Sequence, residues 1–182
     1  MNLMDTKIET ERLILTPIKL NYTEDIFKEF TWEITKYMYP KPPKKIEETY
    51  SSIEESIDKM KNGICLSMVV LDKSNNEFIG CIGWENFSKS NKFLPELWIW
   101  IKKSSHKKGI GLEAMTALIE WTHENIKFDY LVYPVCKMNI ASRRLPEKNN
   151  GIIMGEEKSI GEAGNELDEY IYWIYSRNKE GL

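Results

Sequence analysis

The stretch Glu96–Met115, "ELWIWIKKSSHKKGIGLEAM", sets the fold. Its first six residues are rich in aromatic and branched side chains, the kind that suit a pleated surface. A polar loop follows, then two glycines two residues apart at the head of a helix-like run. At about 100° per residue, Ile110, Leu112, Ala114, Met115, Ala117, Leu118, Ile119 and Trp121 fall on one broad arc. Glu113, Thr116, Glu120, His123 and Glu124 fall on the other. A helix over 109–125 that is so widely apolar must lie deep against a sheet. The stretch therefore reads as strand, thinned loop and crossover helix.

Working outward toward the start, "IETERLILTPIK" alternates Leu13 and Leu15 with polar neighbours, a strand that Pro17 limits. "TEDIFKEFTW" is a helix with Thr23 as its N-cap, and the prolines of "YMYPKPPKK" make a loop. "IEETYSSIEESIDKMKNG" sets Ile46, Tyr50, Ile53, Ile57 and Met60 at helical steps, with Gly63 as the C-terminal stop. "ICLSMVVLD" and "EFIGCIGWENF" form a hairpin across "KSNN", and "SKSNKFLP" leads into the central strand. Toward the end, "YLVYPV" is a strand and "NIASRRLPEKNN" a short helix, compatible with Pro146 only in its first turn. "MGEEKSI" and "LDEYIYWIYS" close as a hairpin across "GEAGNE". This order predicts one α+β domain over 1–182, with the long helix crossing between parallel neighbours.

Composition removes several classes of function. A net charge of −3 and a pI near 5.6 provide no basic field for nucleic acid or an anionic membrane. No apolar run approaches the roughly 20 residues of a membrane span, and the first residues lack a secretory signal's apolar centre, so a cytoplasmic protein is expected. Cys65, Cys81 and Cys136 are odd in number and widely spaced, which suggests buried reduced thiols rather than a disulfide framework. With only His106 and His123 beside them, no metal is expected.

A helix N-terminus carries unpaired N–H groups and about half a positive charge, so it binds an anion that comes close. Gly109 and Gly111 remove Cβ atoms where Lys107 to Leu112 enters the helix, and Lys107 and Lys108 add charge. Two readings stand side by side: a seat for a phosphate group, or a turn that allows close helix packing. A Walker loop would need Lys-Ser or Lys-Thr after the second glycine, and a dinucleotide fingerprint would need a third glycine early in a βαβ repeat. Neither is present.

"IETERLILTPI", "ELWIWI", "HKKGIGLEA" and "YPVCKMNIASRRLPEKNNG", in this order and spacing, resemble the Gcn5-related N-acetyltransferases. Within them the likeness is to the branch of ribosomal-protein-serine and alanine N-acetyltransferase-like enzymes, and it covers nearly the whole chain. It implies the acyl-coenzyme A N-acyltransferase fold, a mostly antiparallel sheet of about seven strands with one splayed parallel pair and flanking helices. It implies that acetyl-coenzyme A places its pyrophosphate on the loop His106, Lys107, Lys108, Gly109, Ile110 and Gly111. His106 stands where that family usually has Gln or Arg. The pantetheine arm would pair with the main chain of Ile99, Trp100 and Ile101, and would touch Asn139 and Ser142.

By the same resemblance, acetyl passes directly from the thioester to a primary amine. An amine of pKa ~10 must first lose a proton. Glu96 matches the family's carboxylate base, Glu85 is the reserve, and a solvated strand-end carboxylate is the plainer reading of Glu96. The N–H of Ile99 is the expected oxyanion donor. Ser142 is expected near the sulfur as acid or orienting group, or else as a support of its helix. Cys136 as a covalent carrier is disfavoured. Trp32, Tyr37, Tyr39 and Glu85 are expected around the acceptor, a small amine or a protein N-terminus, with ordinary packing as the alternative for the aromatics. The second function class is an inactive coenzyme-binding sensor or scaffold. A monomer or a homodimer fits either.

Overall fold

The computed structural model describes residues 2–86 and 93–177, so six residues of the link into the central strand lie outside it. One sheet holds eight strands: β1 (Ile8–Glu9), β2 (Leu13–Pro17), β3 (Cys65–Asp72), β4 (Phe78–Asn86), β5 (Pro95–Ile101), β6 (Tyr130–Cys136), β7 (Ile152–Ile160) and β8 (Glu166–Tyr175). Five helices accompany them: α1 (Thr23–Glu29), α2 (Trp32–Thr35), α3 (Ile46–Lys61), α4 (Ile110–Asn125) and α5 (Ile140–Lys148). The spatial order is β1-β2-β3-β4-β5-β6-β8-β7. The strand beyond the seven expected is β1, whose two residues are too few to show alternation.

Every pairing is antiparallel except β5 with β6, which α4 connects as the expected crossover. That parallel pair meets at a single register position, Glu96 opposite Val132. Register carries the apolar rows across the sheet: Leu66, Trp84 and Leu97 align, as do Met68, Ile82 and Ile99. Their face receives α4, which buries Ala114, Met115, Leu118, Ile119 and Thr122. Each fully buried aliphatic side chain there contributes about 1.5–3 kcal/mol. The opposite face carries Trp98 and Trp100. It receives α1 and α3, with the Phe30 and Trp100 ring centroids 5.0 Å apart.

Three local expectations are corrected. Thr23 is the first residue of α1 rather than its cap, and its hydroxyl donates to the Leu20 carbonyl at 2.6 Å. The buried face of α3 is Thr49, Ile53 and Met60, while Ile46 and Tyr50 are exposed in a surface groove with Leu20 and Thr23. Pro146 sits in the last turn of α5. There it forfeits one late helical bond, and its own carbonyl still accepts from Asn149 and Gly151.

Candidate active site

The sheet opens where β5 leaves β6. The Lys102 N–H donates to the Ile79 carbonyl of β4 at 2.8 Å. Strand alternation therefore turns the main-chain groups of Ile99 and Ile101 the other way, into the gap where the ladder has ended. These are polar groups that want partners. The Ile101 carbonyl has one already: His106 Nε2 donates to it at 2.6 Å. His106 thus pins the loop to the end of β5. Trp100 does not belong to the opening, because its N–H points toward β4 and its indole is buried beside Phe30 and Phe78.

The loop after β5 makes a short 3-10 turn, Lys103–Ser105, then passes Lys107 at φ 61° and Gly109 at φ 75°. Gly109 is the N-cap of α4 and supplies no side chain to it. The first-turn N–H groups therefore point out unclaimed by the helix. The two glycines differ in purpose. Gly109 is required by its left-handed backbone. At Gly111 an added Cβ would lie 3.9 Å from Ile101 and Leu145 side-chain atoms and 4.0 Å from Ile99, ordinary contact distances. Packing alone would accept a methyl group there. Glycine at 111 keeps clear the space between β5, α5 and the helix start.

A clamp holds this loop from the far end of the chain. Arg12 donates to the Lys108 carbonyl through Nη1 at 3.0 Å and grips Glu113 through Nε and Nη2, both at 2.6 Å. Thr10 Oγ1 and the Arg12 N–H also donate to Glu113, at 2.5 and 3.0 Å. Partial burial pushes the Glu113 carboxyl upward, but the bonds from Thr10 and Arg12 outweigh it and hold it below the usual range. Helical periodicity placed Glu113 on the arc opposite the apolar one. A contact spanning about a hundred residues leaves no periodic trace.

Glu96 stands on the face away from α4, opposite Glu85 on β4. Burial, and then the charges of Glu169, Glu157 and Glu85, push its carboxyl up to about 7. Glu85 is engaged by Lys59 Nζ at 2.7 Å, and the same amine holds Glu55 at 2.7 Å. Trp98 lies beside Glu96 over Gly83, where a Cβ would approach the indole to 2.7 Å. Sequence reasoning took Trp98 only as a strand former.

Of the acceptor-side aromatics, Trp32 is exposed on α2, Tyr39 is exposed, and Tyr37 is half-buried with Lys36 Nζ 4.7 Å from its ring centroid. Their segment is tied to the turn between β7 and β8. Glu162 N–H donates to the Tyr39 carbonyl at 2.9 Å, and the Asn165 amide donates to the carbonyls of Lys36 and Met38. The segment that follows α2 and the turn of the last hairpin thus meet.

On the α4 side, Asn139 caps α5, its side chain accepting from the Ser142 N–H at 3.3 Å. Ser142 Oγ lies 2.7 Å from the hydroxyl of Tyr133, a residue that sequence reasoning passed over. Cys136 is buried, and so are Cys65 and Cys81, all as free thiols. Among the described residues, no group of three or more His, Cys, Asp or Glu is placed to hold a metal ion. No helix there is long and apolar enough to cross a membrane.

Residues 12–151 match the acetyltransferase (GNAT) domain family. The chain belongs to the GNAT acetyltransferase family. The match runs from Arg12 of the clamp through the opening, the glycine loop and Ser142. The fold agrees with solved GNAT structures. An acetyltransferase of the GNAT family from Bacillus anthracis shares 20% identity at a TM-score of 0.79, over 94% of this chain and 99% of that one. The acetyl transferase from Salmonella typhimurium that modifies the N-terminal serine of 50S ribosomal subunit protein L7/L12 shares 16% at 0.80, over 93% and 99%. A ribosomal L7/L12 alpha-N-protein acetyltransferase in complex with coenzyme A shares 17% at 0.79, over 93% and 98%. No curated protein matches the sequence. For a GNAT domain, the open main chain of β5 and the bare head of α4 fit a long ligand with an anionic end, the shape and charge of a coenzyme A.

Proposed function

We propose that this GNAT protein transfers acetyl from acetyl-coenzyme A to a primary amine by direct attack, the amine being a protein N-terminus or a small molecule. The carrying observation is the one-rung junction at Glu96, which joins an open strand edge on one side of β5 to a carboxyl poised at about 7 on the other. When bound, the thioester supplies an activated acetyl group. The loop N–H groups from Lys107 to Gly111, held by Arg12 and His106, take the pyrophosphate. The Ile99 N–H faces the opening and is placed to receive the carbonyl oxygen as it gains charge.

Glu96 accepts the proton of the incoming ammonium, directly or through water, since a base near neutrality serves best at the working pH. Glu85 is the poorer base because Lys59 already holds its charge. Two of the solved relatives act on ribosomal protein N-termini, which supports a chain terminus among the acceptors. Calorimetry with coenzyme A, followed by thiol release across peptides with free N-termini, polyamines and amino acids, tests the reading. Binding with release for at least one amine is expected. Binding without release for any amine would leave a coenzyme sensor, and no binding would overturn the site.

A further inference from the structure

We propose that Tyr133 is a positioning residue for the departing sulfur: its phenol donates to Ser142 Oγ and so leaves that serine's one hydrogen directed to the opening between β5 and β6. The inference rests on the acetyl-transfer reading above. A serine hydroxyl has one hydrogen and two lone pairs, so whichever partner donates decides where the other's hydrogen goes. The two oxygens are 2.7 Å apart. Tyr133 is 4% exposed, and among the described residues its hydroxyl has no partner besides Ser142. Burial, eased a little by the Ser142 bond, pushes the phenol up to about 12, so it keeps its hydrogen at every pH where an amine is acetylated.

Ser142 is fixed as well. Its N–H is taken by Asn139 Oδ1 in the first turn of α5, and Leu145, one turn on, carries the methyl that lies 3.9 Å from the position of a Cβ on Gly111. Residues three apart share a helix face, so Ser142 and Leu145 both look toward the glycine mouth. In the transfer, the amine nitrogen bonds to the acetyl carbon and the C–S bond breaks with its electron pair left on sulfur. One ammonium proton goes to Glu96 before the attack, and the second, shed by the nitrogen as the adduct collapses to the amide, goes to solvent. The Ser142 O–H donates a hydrogen bond to the sulfur, which takes its own proton from solvent after release. Tyr133 itself neither gains nor loses a proton.

The test is the ultraviolet titration of the coenzyme A thiolate bound to the whole protein, with the protein's own absorbance subtracted. The bound thiol should titrate below free coenzyme A. Tyr133→Phe should raise its apparent pKa by about one unit, Ser142→Ala by at least as much, and the double variant no further than Ser142→Ala alone, because residues acting through one another are not additive. Turnover should follow: Tyr133→Phe lowers kcat about tenfold and leaves the KM for acetyl-coenzyme A unchanged. Tyr133→Phe removes one oxygen, and an unchanged melting temperature certifies its fold. A bound thiol that titrates alike in wild type and Tyr133→Phe, or effects that simply add, overturns this role while leaving acetyl transfer standing. Failure of the wild type to bind coenzyme A at all overturns the proposed function instead.

Discussion

Glu85 and Glu96 face one another across β4 and β5, and only one of them has a counter-ion: Lys59 holds Glu85, while no ion pair reaches Glu96 among the described residues. The same pair of carboxylates is thereby split into a neutralised group and a group held near neutrality, the arrangement that separates a spectator from a base.

The pH dependence of kcat/KM follows. The rate should rise with pH through an inflection near 7 as Glu96 ionises, then level off. Glu96→Gln should lower the plateau by about 10²–10⁴-fold and erase the inflection. An unchanged profile in that variant would remove Glu96 from the base role.

Lys59→Met should move the inflection upward. Without its lysine, the Glu85 charge acts unopposed on Glu96 and favours the protonated form. A rate profile that shifts down, or stays in place, contradicts the assignment of Lys59 as the neutralising partner.

Stability should respond to Glu96 in the opposite sense from an ordinary paired carboxylate. Its folded pKa lies above the ordinary carboxyl value of 4.5, so the native state holds the extra proton between about 4.5 and 7, and stability falls as pH rises through that window. Glu96→Gln should therefore raise the melting temperature at pH 8, by a gain on the order of 2–3 kcal/mol, and have no effect below pH 4. Thermal unfolding at the two pH values reads the difference.

Gly111→Ala should separate folding from binding. Helix propensity favours alanine by roughly 0.5–1 kcal/mol, and the added methyl meets only ordinary contacts, so unfolding should shift to higher denaturant. Coenzyme affinity should fall at least tenfold. Gly109→Ala should instead destabilise by about 1–2 kcal/mol, because its φ of 75° strains any side chain. Calorimetry beside denaturant melts would distinguish the two.

Arg12→Met should weaken coenzyme binding about tenfold while changing stability by about 1 kcal/mol or less, since the arginine is half exposed and its main product is loop geometry. Equal losses in affinity for Arg12→Met and for a distant surface arginine would show that charge alone, not the clamp, is at work.

Much of this was legible in the residues because periodicity and turn chemistry are local. The strand of Leu13 and Leu15, the stop at Gly63, the "KSNN" hairpin and the broad apolar arc of α4 each declare themselves within a few positions. The bare strand-to-helix junction was legible too, since glycines there act through their absence of side chain. What remained hidden was contact across distance. Nothing near Glu113 in the sequence named Arg12 and Thr10 as its partners, and Trp100 looked like part of the coenzyme edge until strand register turned it into the core. Tyr133 and Ser142 lie nine positions apart on different elements, and neither carries a signal that names the other. Ile46 and Tyr50 fit the helical stripe by angle, yet they stand exposed in the groove beside Leu20 and Thr23.

The single rung between Glu96 and Val132 also makes the sheet two half-sheets sewn together at one stitch, with one shared core beneath them. A ligand lying along Ile99 and Ile101 would act as the missing seam. Under the proposed function, the coenzyme would therefore supply hydrogen-bond partners at the one place where the sheet's own ladder stops.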